Sequence, residues 1–183
     1  MMPPNLAIEP WELEDIQKLS SMISSPRAAK RFINIYRLIR ASLKTRQLAA
    51  FVGSKERRGE YQVVLILLSI LTRFPNKASE IYVHLLKREE KDWRQLLDGL
   101  MPRSSGTGHR NVVDESIDRN ELPIWQTVYE GLTRISELLN MQYPIERFAY
   151  WTPRVARFSF QSGRVIATFG TDAQSGQKSA APA

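Results

Sequence analysis

The sequence predicts an all-α protein, an irregular bundle of six to eight helices in which a small C-terminal β-hairpin stays open as an alternative. Apolar residues recur at spacings of three and four along residues 121–140, as in an amphipathic helix. Ser25-Pro26 supplies the N-cap and first-turn proline of another helix. The apolar run 63–71 is too short to span a bilayer, which favours a helix at the centre of the bundle.

Apolar spacing and helix-stop residues place the elements of the first half of the chain. The predicted helices run over about 10–23, 26–43, 45–52, 60–74, from Asn76 to the charged run 87–91, and over about 92–100. Gly53 and Pro75 are expected to end the helices before them, and Asn76 and Asp92 to cap those that follow.

The C-terminal part allows two interpretations. Thr152-Pro153 could open a helix that continues to about Phe160, whereas the alternation around residues 161–163 could form the hairpin. We therefore predict a flexible leader over 1–9, a basic helical lid-like subdomain over 10–101 and a flexible loop over 102–118. A C-terminal helical subdomain over 119–170 and a disordered tail over 171–183 follow.

Positive charge is concentrated in one part of the chain. The net charge is +7, and residues 27–58 contain ten basic residues and a single acid, Glu56. The rest of the chain is slightly acidic, because it holds sixteen bases and eighteen acids. A local basic block implies a local anionic partner, such as nucleotide phosphate, nucleic acid or an acidic protein face.

The helix over 26–43 carries the basic residues of greatest interest. At about 100° per residue, one face collects the polar and cationic side chains Arg27, Lys30, Arg31, Asn34 and Arg37. Cations near a helix N-terminus oppose the macrodipole, so a phosphate ligand would explain their placement. Arg27 is the first candidate for phosphate contact, because a guanidinium donates two parallel hydrogen bonds and keeps its charge when desolvated.

The same segment, Ser25-Pro-Arg-Ala-Ala-Lys-Arg-Phe-Ile-Asn34, resembles the Pro-Arg-x-x-Lys-Arg-Phe-x-Asn signature in the helical part of KAP-type P-loop NTPases. In placement, Arg27 is similar to the sensor-2 arginine of AAA+ lids. The flanking strings Trp11-Glu-Leu-Glu and Trp151-Thr-Pro-Arg-Val-Ala-Arg-Phe also look like the C-terminal part of large bacterial NTPases of this kind.

The resemblance implies a helical lid or sensor region that closes over ATP bound by a separate P-loop NTPase core, in the same gene or a neighbouring chain. ATP and Mg would then reach this chain only through that core, and the chain would bind no cofactor alone. The resemblance also implies a cytoplasmic location, which fits the lack of cysteine and of a signal peptide.

The chain by itself shows no catalytic signature. A P-loop needs Gly-x-x-x-x-Gly-Lys-Ser/Thr, and the nearest string, over 170–179, has the wrong spacing. The two histidines, His84 and His109, lack partners at metal-ligand spacing. We therefore expect no metal site, no catalytic residue and no enzyme activity from this chain alone.

Three alternatives stay open. The 27–58 block could bind nucleic acid, or the helices could dock an acidic protein. Arg27 and Arg31 could instead form structural ion pairs with Glu12, Glu14 or Asp15 of the first helix. Arg37 is a secondary basic candidate. The second Pro-Arg string adds Arg154 and Arg157 to these, although capping and packing also explain that string.

Overall fold

The computed structural model describes residues 6–87, 91–100, 121–140, 143–159 and 162–164, and within them the protein is all-α. The helices are α1 (Pro10–Lys18, continued by a 3₁₀ turn over Leu19–Met22), α2 (Pro26–Ala41), α3 (Thr45–Val52), α4 (Tyr61–Arg73), α5 (Pro75–Lys87), α6 (Trp93–Leu100), α7 (Leu122–Leu139) and α8 (Ile145–Ala156). None of these helices has the length and apolar character that a membrane crossing requires.

Helix α4 forms the centre of the bundle, as its composition predicts. Every side chain from Tyr61 to Leu71 is buried, and the helix packs against α1, α2, α5, α7 and α8. Burying an apolar side chain of this size stabilises the fold by roughly 1.5–3 kcal/mol. Helices from both predicted subdomains thus contribute to one hydrophobic core, and the boundary between those subdomains stays a prediction.

Helix α8 corrects the interpretation of Thr152-Pro153 as a helix start. The helix begins at Ile145, and Pro153 lies inside its last turns. Phe148, Thr152 and Val155 are all buried at spacings of four and three, and Thr152 donates its hydroxyl to the Phe148 carbonyl at 2.7 Å. Burial of this face outweighs the backbone hydrogen bond that a proline inside a helix removes.

Two smaller differences also follow from local chemistry. Helix α5 starts at Pro75 itself, whose fixed φ suits a first helical position, and is not capped by Asn76. Helix α8 ends at Ala156, before the predicted end near Phe160. Residues 1–5 of the predicted leader over 1–9, the loop over 102–118, most positions of the alternative hairpin and the tail over 171–183 lie outside the described residues.

A buried ion pair joins α1 to α2. The Glu12 carboxylate accepts hydrogen bonds from the Arg40 guanidinium, with N–O distances of 3.2 and 3.3 Å, and from the Tyr36 hydroxyl. All three residues are at most 1% exposed. Desolvation and the neighbouring Glu12 charge raise the pKa of Tyr36 well above its ordinary value, so its hydroxyl stays a donor.

One turn further along α1, Asp15 joins that helix to α4. Its carboxylate accepts hydrogen bonds from Lys18 at 2.7 Å, Tyr61 at 2.6 Å and Gln62 at 2.8 Å. Burial raises the pKa of Asp15, but these three donors together outweigh that effect and hold the pKa below its ordinary value. The ionised form is therefore the one that the fold stabilises.

We predict that Arg40→Ala lowers the free energy of unfolding by about 3–5 kcal/mol, because it leaves the Glu12 charge buried without its partner. Urea denaturation monitored by circular dichroism measures the change. Arg37→Ala is the matched control on the exposed side of the same helix, with an expected change within about 0.5 kcal/mol. Equal losses in the two variants would contradict a stabilising role for the buried pair.

We also predict that the stabilisation from Asp15 depends on pH. A carboxylate whose pKa is lower in the folded protein adds stability above the unfolded pKa of about 3.9 and loses it as the pH falls through the folded value. Asp15→Asn should therefore unfold at less urea than the wild type at pH 7, with a smaller difference below about pH 4. Asp98→Asn, at an exposed carboxylate, is the control. A pH-independent difference would exclude this linkage.

Candidate phosphate-binding surface

The N-terminus of α2 places Arg27 at the surface. Ser25 lies in an extended conformation and its hydroxyl accepts the Ala28 backbone N–H at 3.2 Å, and Pro26 occupies the first helical position. This cap fixes where the helix begins, so Arg27 falls in the first turn with its side chain exposed to solvent.

All five predicted polar positions of α2 share one exposed face. These are Arg27, Lys30, Arg31, Asn34 and Arg37. The opposite face is buried through Phe32, Ile35, Tyr36 and Ile39, each at most 7% exposed. Because α2 contains no acidic residue, its exposed face is uniformly cationic or neutral.

The carboxylates of α1 form ion pairs with basic residues other than Arg27 and Arg31. Glu12 pairs with Arg40, Glu14 pairs with Arg58 at 3.3 Å, and Asp15 pairs with Lys18 and, at 3.6 Å, with Arg58. Among the described residues, no ion pair involves Arg27 or Arg31. The alternative in which these arginines hold α1 in place is therefore not the arrangement observed.

Arg31 links α2 to α8. Its guanidinium donates a hydrogen bond to the Phe158 backbone carbonyl at 3.1 Å, across 127 positions of sequence. The Arg157 guanidinium lies 4.9 Å from the Phe158 ring centroid, and Arg154 lies 4.0 Å from the Tyr150 ring centroid. The secondary candidates Arg154 and Arg157 thus sit at the C-terminal end of α8, where the macrodipole favours cations.

Sequence reasoning missed the structural role of two basic residues. Arg40 and Arg58 belong to the basic block by charge, but both pair with carboxylates of α1. A signal for Arg40 was available, because it follows Tyr36 by four residues and so lies on the buried face of α2. No comparable periodicity marks Arg58, which lies in the loop between α3 and α4.

Metal-ligating side chains are dispersed in the part of the chain that the structure describes. There, no three His, Cys, Asp or Glu side chains are grouped so that they could hold a metal ion. Comparisons with protein-family models, with curated proteins and with solved structures found no match to this chain. The arrangement of cations on α2 and α8 is therefore the observation from which a function can be argued.

We predict opposite effects on stability for two arginines of α2. Arg27→Ala removes a cation from the first turn and should raise the free energy of unfolding by about 0.3–1 kcal/mol at low ionic strength. Arg31→Ala loses the hydrogen bond to Phe158 and should lower it by roughly 0.5–1.5 kcal/mol. Urea denaturation at low and high salt tests both, since salt screens the first effect. Changes of the same sign would contradict this assignment.

Proposed function

We propose that this chain is a non-catalytic helical lid or sensor region of a cytoplasmic, KAP-like P-loop ATPase. Arg27 contacts a phosphate of ATP that a separate core binds with Mg, and Lys30, Arg31 and Asn34 support that contact. The chain itself supplies no catalytic residue and binds no cofactor alone. Its helices respond to the presence or absence of the terminal phosphate.

The observation that carries this proposal is the exposed cationic face of α2, which lacks a carboxylate partner among the described residues. Cations in the first turn of α2 oppose its macrodipole, and a bound phosphate removes that conflict. The buried face of the same helix holds these side chains on a rigid scaffold, which lowers the entropic cost of ordering them around a ligand.

Packing gives the lid a route by which a phosphate contact affects the rest of the bundle. Helix α2 is held to α1 through Arg40, to the end of α8 through Arg31, and against α4 by its buried face. A conformational response requires different contacts in the ATP and ADP states. Arg27 provides that difference if it reaches a phosphate that only ATP carries.

Binding of nucleic acid is a second candidate function, favoured by one specific observation. The cations of α2 and of the end of α8 meet at Phe158, so the basic surface includes side chains from two separate elements. A backbone-binding surface of this kind predicts affinity that falls steeply as the salt concentration rises.

The proposal predicts that Arg27→Ala weakens the response of the ATPase core to this chain. Charge-assisted hydrogen bonds contribute about 1.5–3 kcal/mol, so the affinity of the core for a fluorescent ATP analogue in the presence of the chain should fall about 10- to 100-fold. The measurement uses the P-loop core encoded with this chain or beside it. Arg134→Ala, at an exposed arginine of α7, is the matched control.

Two outcomes would contradict the lid proposal. In one, the core binds the analogue and hydrolyses ATP equally well with Arg27→Ala, with the control variant and with the wild-type chain. In the other, the purified chain binds labelled DNA or RNA with a steep salt dependence, and both Arg27→Ala and the double variant Lys30→Ala/Arg31→Ala lose that binding. The second result would select the nucleic-acid function.

A further inference from the structure

Two arginines contact Phe158, the residue at which α2 meets the end of α8. Arg31 of α2 donates to the carbonyl of Phe158 at 3.1 Å, and the guanidinium of Arg157 lies 4.9 Å from the ring centroid of Phe158. Arg31 and Arg157 are both exposed to solvent. Two arginines from distant parts of the sequence thus contact the same residue, one its carbonyl oxygen and the other its ring.

The contacts with Phe158 orient both guanidinium groups and leave N–H donors of each unused. An arginine carries five N–H donors, and Arg31 uses one of them for the Phe158 carbonyl. The contact of Arg157 is with a ring face and occupies no N–H donor in the described residues. Because both side chains are partly ordered by Phe158, a ligand that binds them loses less side-chain entropy than it would with two unconstrained arginines.

The local charge is not balanced by the protein that the structure describes. Neither Arg31 nor Arg157 forms an ion pair with a carboxylate there. The C-terminal end of a helix carries about half a negative charge. The partial negative charge at the end of α8 is smaller than the two positive charges beside it. The site therefore carries a net positive charge that an anion would neutralise.

We propose that Arg31 and Arg157 form a phosphoryl-binding site that takes two adjacent phosphoryl groups, one at each guanidinium. Arginine suits phosphate because its planar fork donates two parallel hydrogen bonds. The chemistry is shared by the phosphate tail of a nucleotide and by consecutive phosphates of a nucleic-acid backbone. The inference deepens the proposed function, from which it takes Arg31 and the cationic face of α2, and it adds α8 to the binding surface.

Titration of the full chain with inorganic pyrophosphate tests the site directly. The side-chain Nε–H resonances of arginine report binding by NMR, at low ionic strength where screening is small. Arg157→Ala should weaken binding about 10- to 100-fold, the factor that corresponds to a charge-assisted hydrogen bond. Arg157→Lys keeps the charge without the fork and should bind between the wild type and Arg157→Ala.

Two further variants separate the site from general charge and from folding defects. Phe158→Leu keeps the carbonyl that holds Arg31 but removes the ring beneath Arg157, and should weaken binding several-fold. Arg134→Ala removes one exposed positive charge on α7 and should bind pyrophosphate as the wild type does. Unfolding midpoints show whether each variant retains the fold.

The results distinguish this inference from the lid proposal. It is overturned if pyrophosphate does not shift the resonances of Arg31 and Arg157, or if Arg157→Ala binds like Arg134→Ala. A loss confined to Arg27→Ala also overturns it and leaves the lid proposal standing. A loss in Arg157→Ala with none in Arg27→Ala supports this site, and the role of Arg27 is then decided by the ATP-analogue measurement with the core. ATP and a single-stranded oligonucleotide are then compared as competitors of bound pyrophosphate. The one that displaces it at the lower concentration identifies the source of the phosphoryl groups.

Discussion

The buried pair between Glu12 and Arg40 is the interaction on which the surface of this protein depends. Once Arg40 is fixed beneath α1, the rotation of α2 about its own axis is fixed as well. Phe32 and Tyr36 must then face the core, and Arg27 must face solvent, because they lie on opposite sides of the helix. A buried ion pair adds little net stability over an apolar substitute, but it penalises any arrangement that separates its two charges. Its effect here is to select one orientation of α2.

Local sequence signals predicted those elements in which burial and local chemistry agree. The bounds of α3 and the buried centre of the bundle at α4 are confirmed, as is the cap that Asp92 provides to α6 through the Gln95 N–H at 2.9 Å. The prediction failed at α8, where Pro153 is a strong local signal for a helix start. The apolar face of α8 packs against α4 and α5, and these contacts could not be inferred from residues near Pro153 alone.

The candidate site was predictable only as far as helical geometry reaches. The angular spacing of residues along α2 was sufficient to place Arg27, Lys30 and Asn34 on one exposed face. The contact between Arg31 and Phe158 joins positions 127 residues apart, and no periodicity or cap within one helix contains that information. Charge counting also placed Arg40 in the basic block over 27–58, because a count of charges does not record which face of the helix each charge occupies.

The arginines of the basic block therefore fall into two groups that differ in their interaction partners. Arg40 and Arg58 neutralise carboxylates of α1 and hold the helices together, whereas Arg27 and Arg31 have no carboxylate among the described residues. Helix α2 is fastened in its second half by Arg40 and in its first half by the contact of Arg31 with Phe158. A helix held at two points cannot shift alone when a ligand draws on its N-terminal cations. A displacement of α2 at Arg27 would strain both contacts, so it would be coupled to α1 and to the end of α8, as the lid proposed above requires.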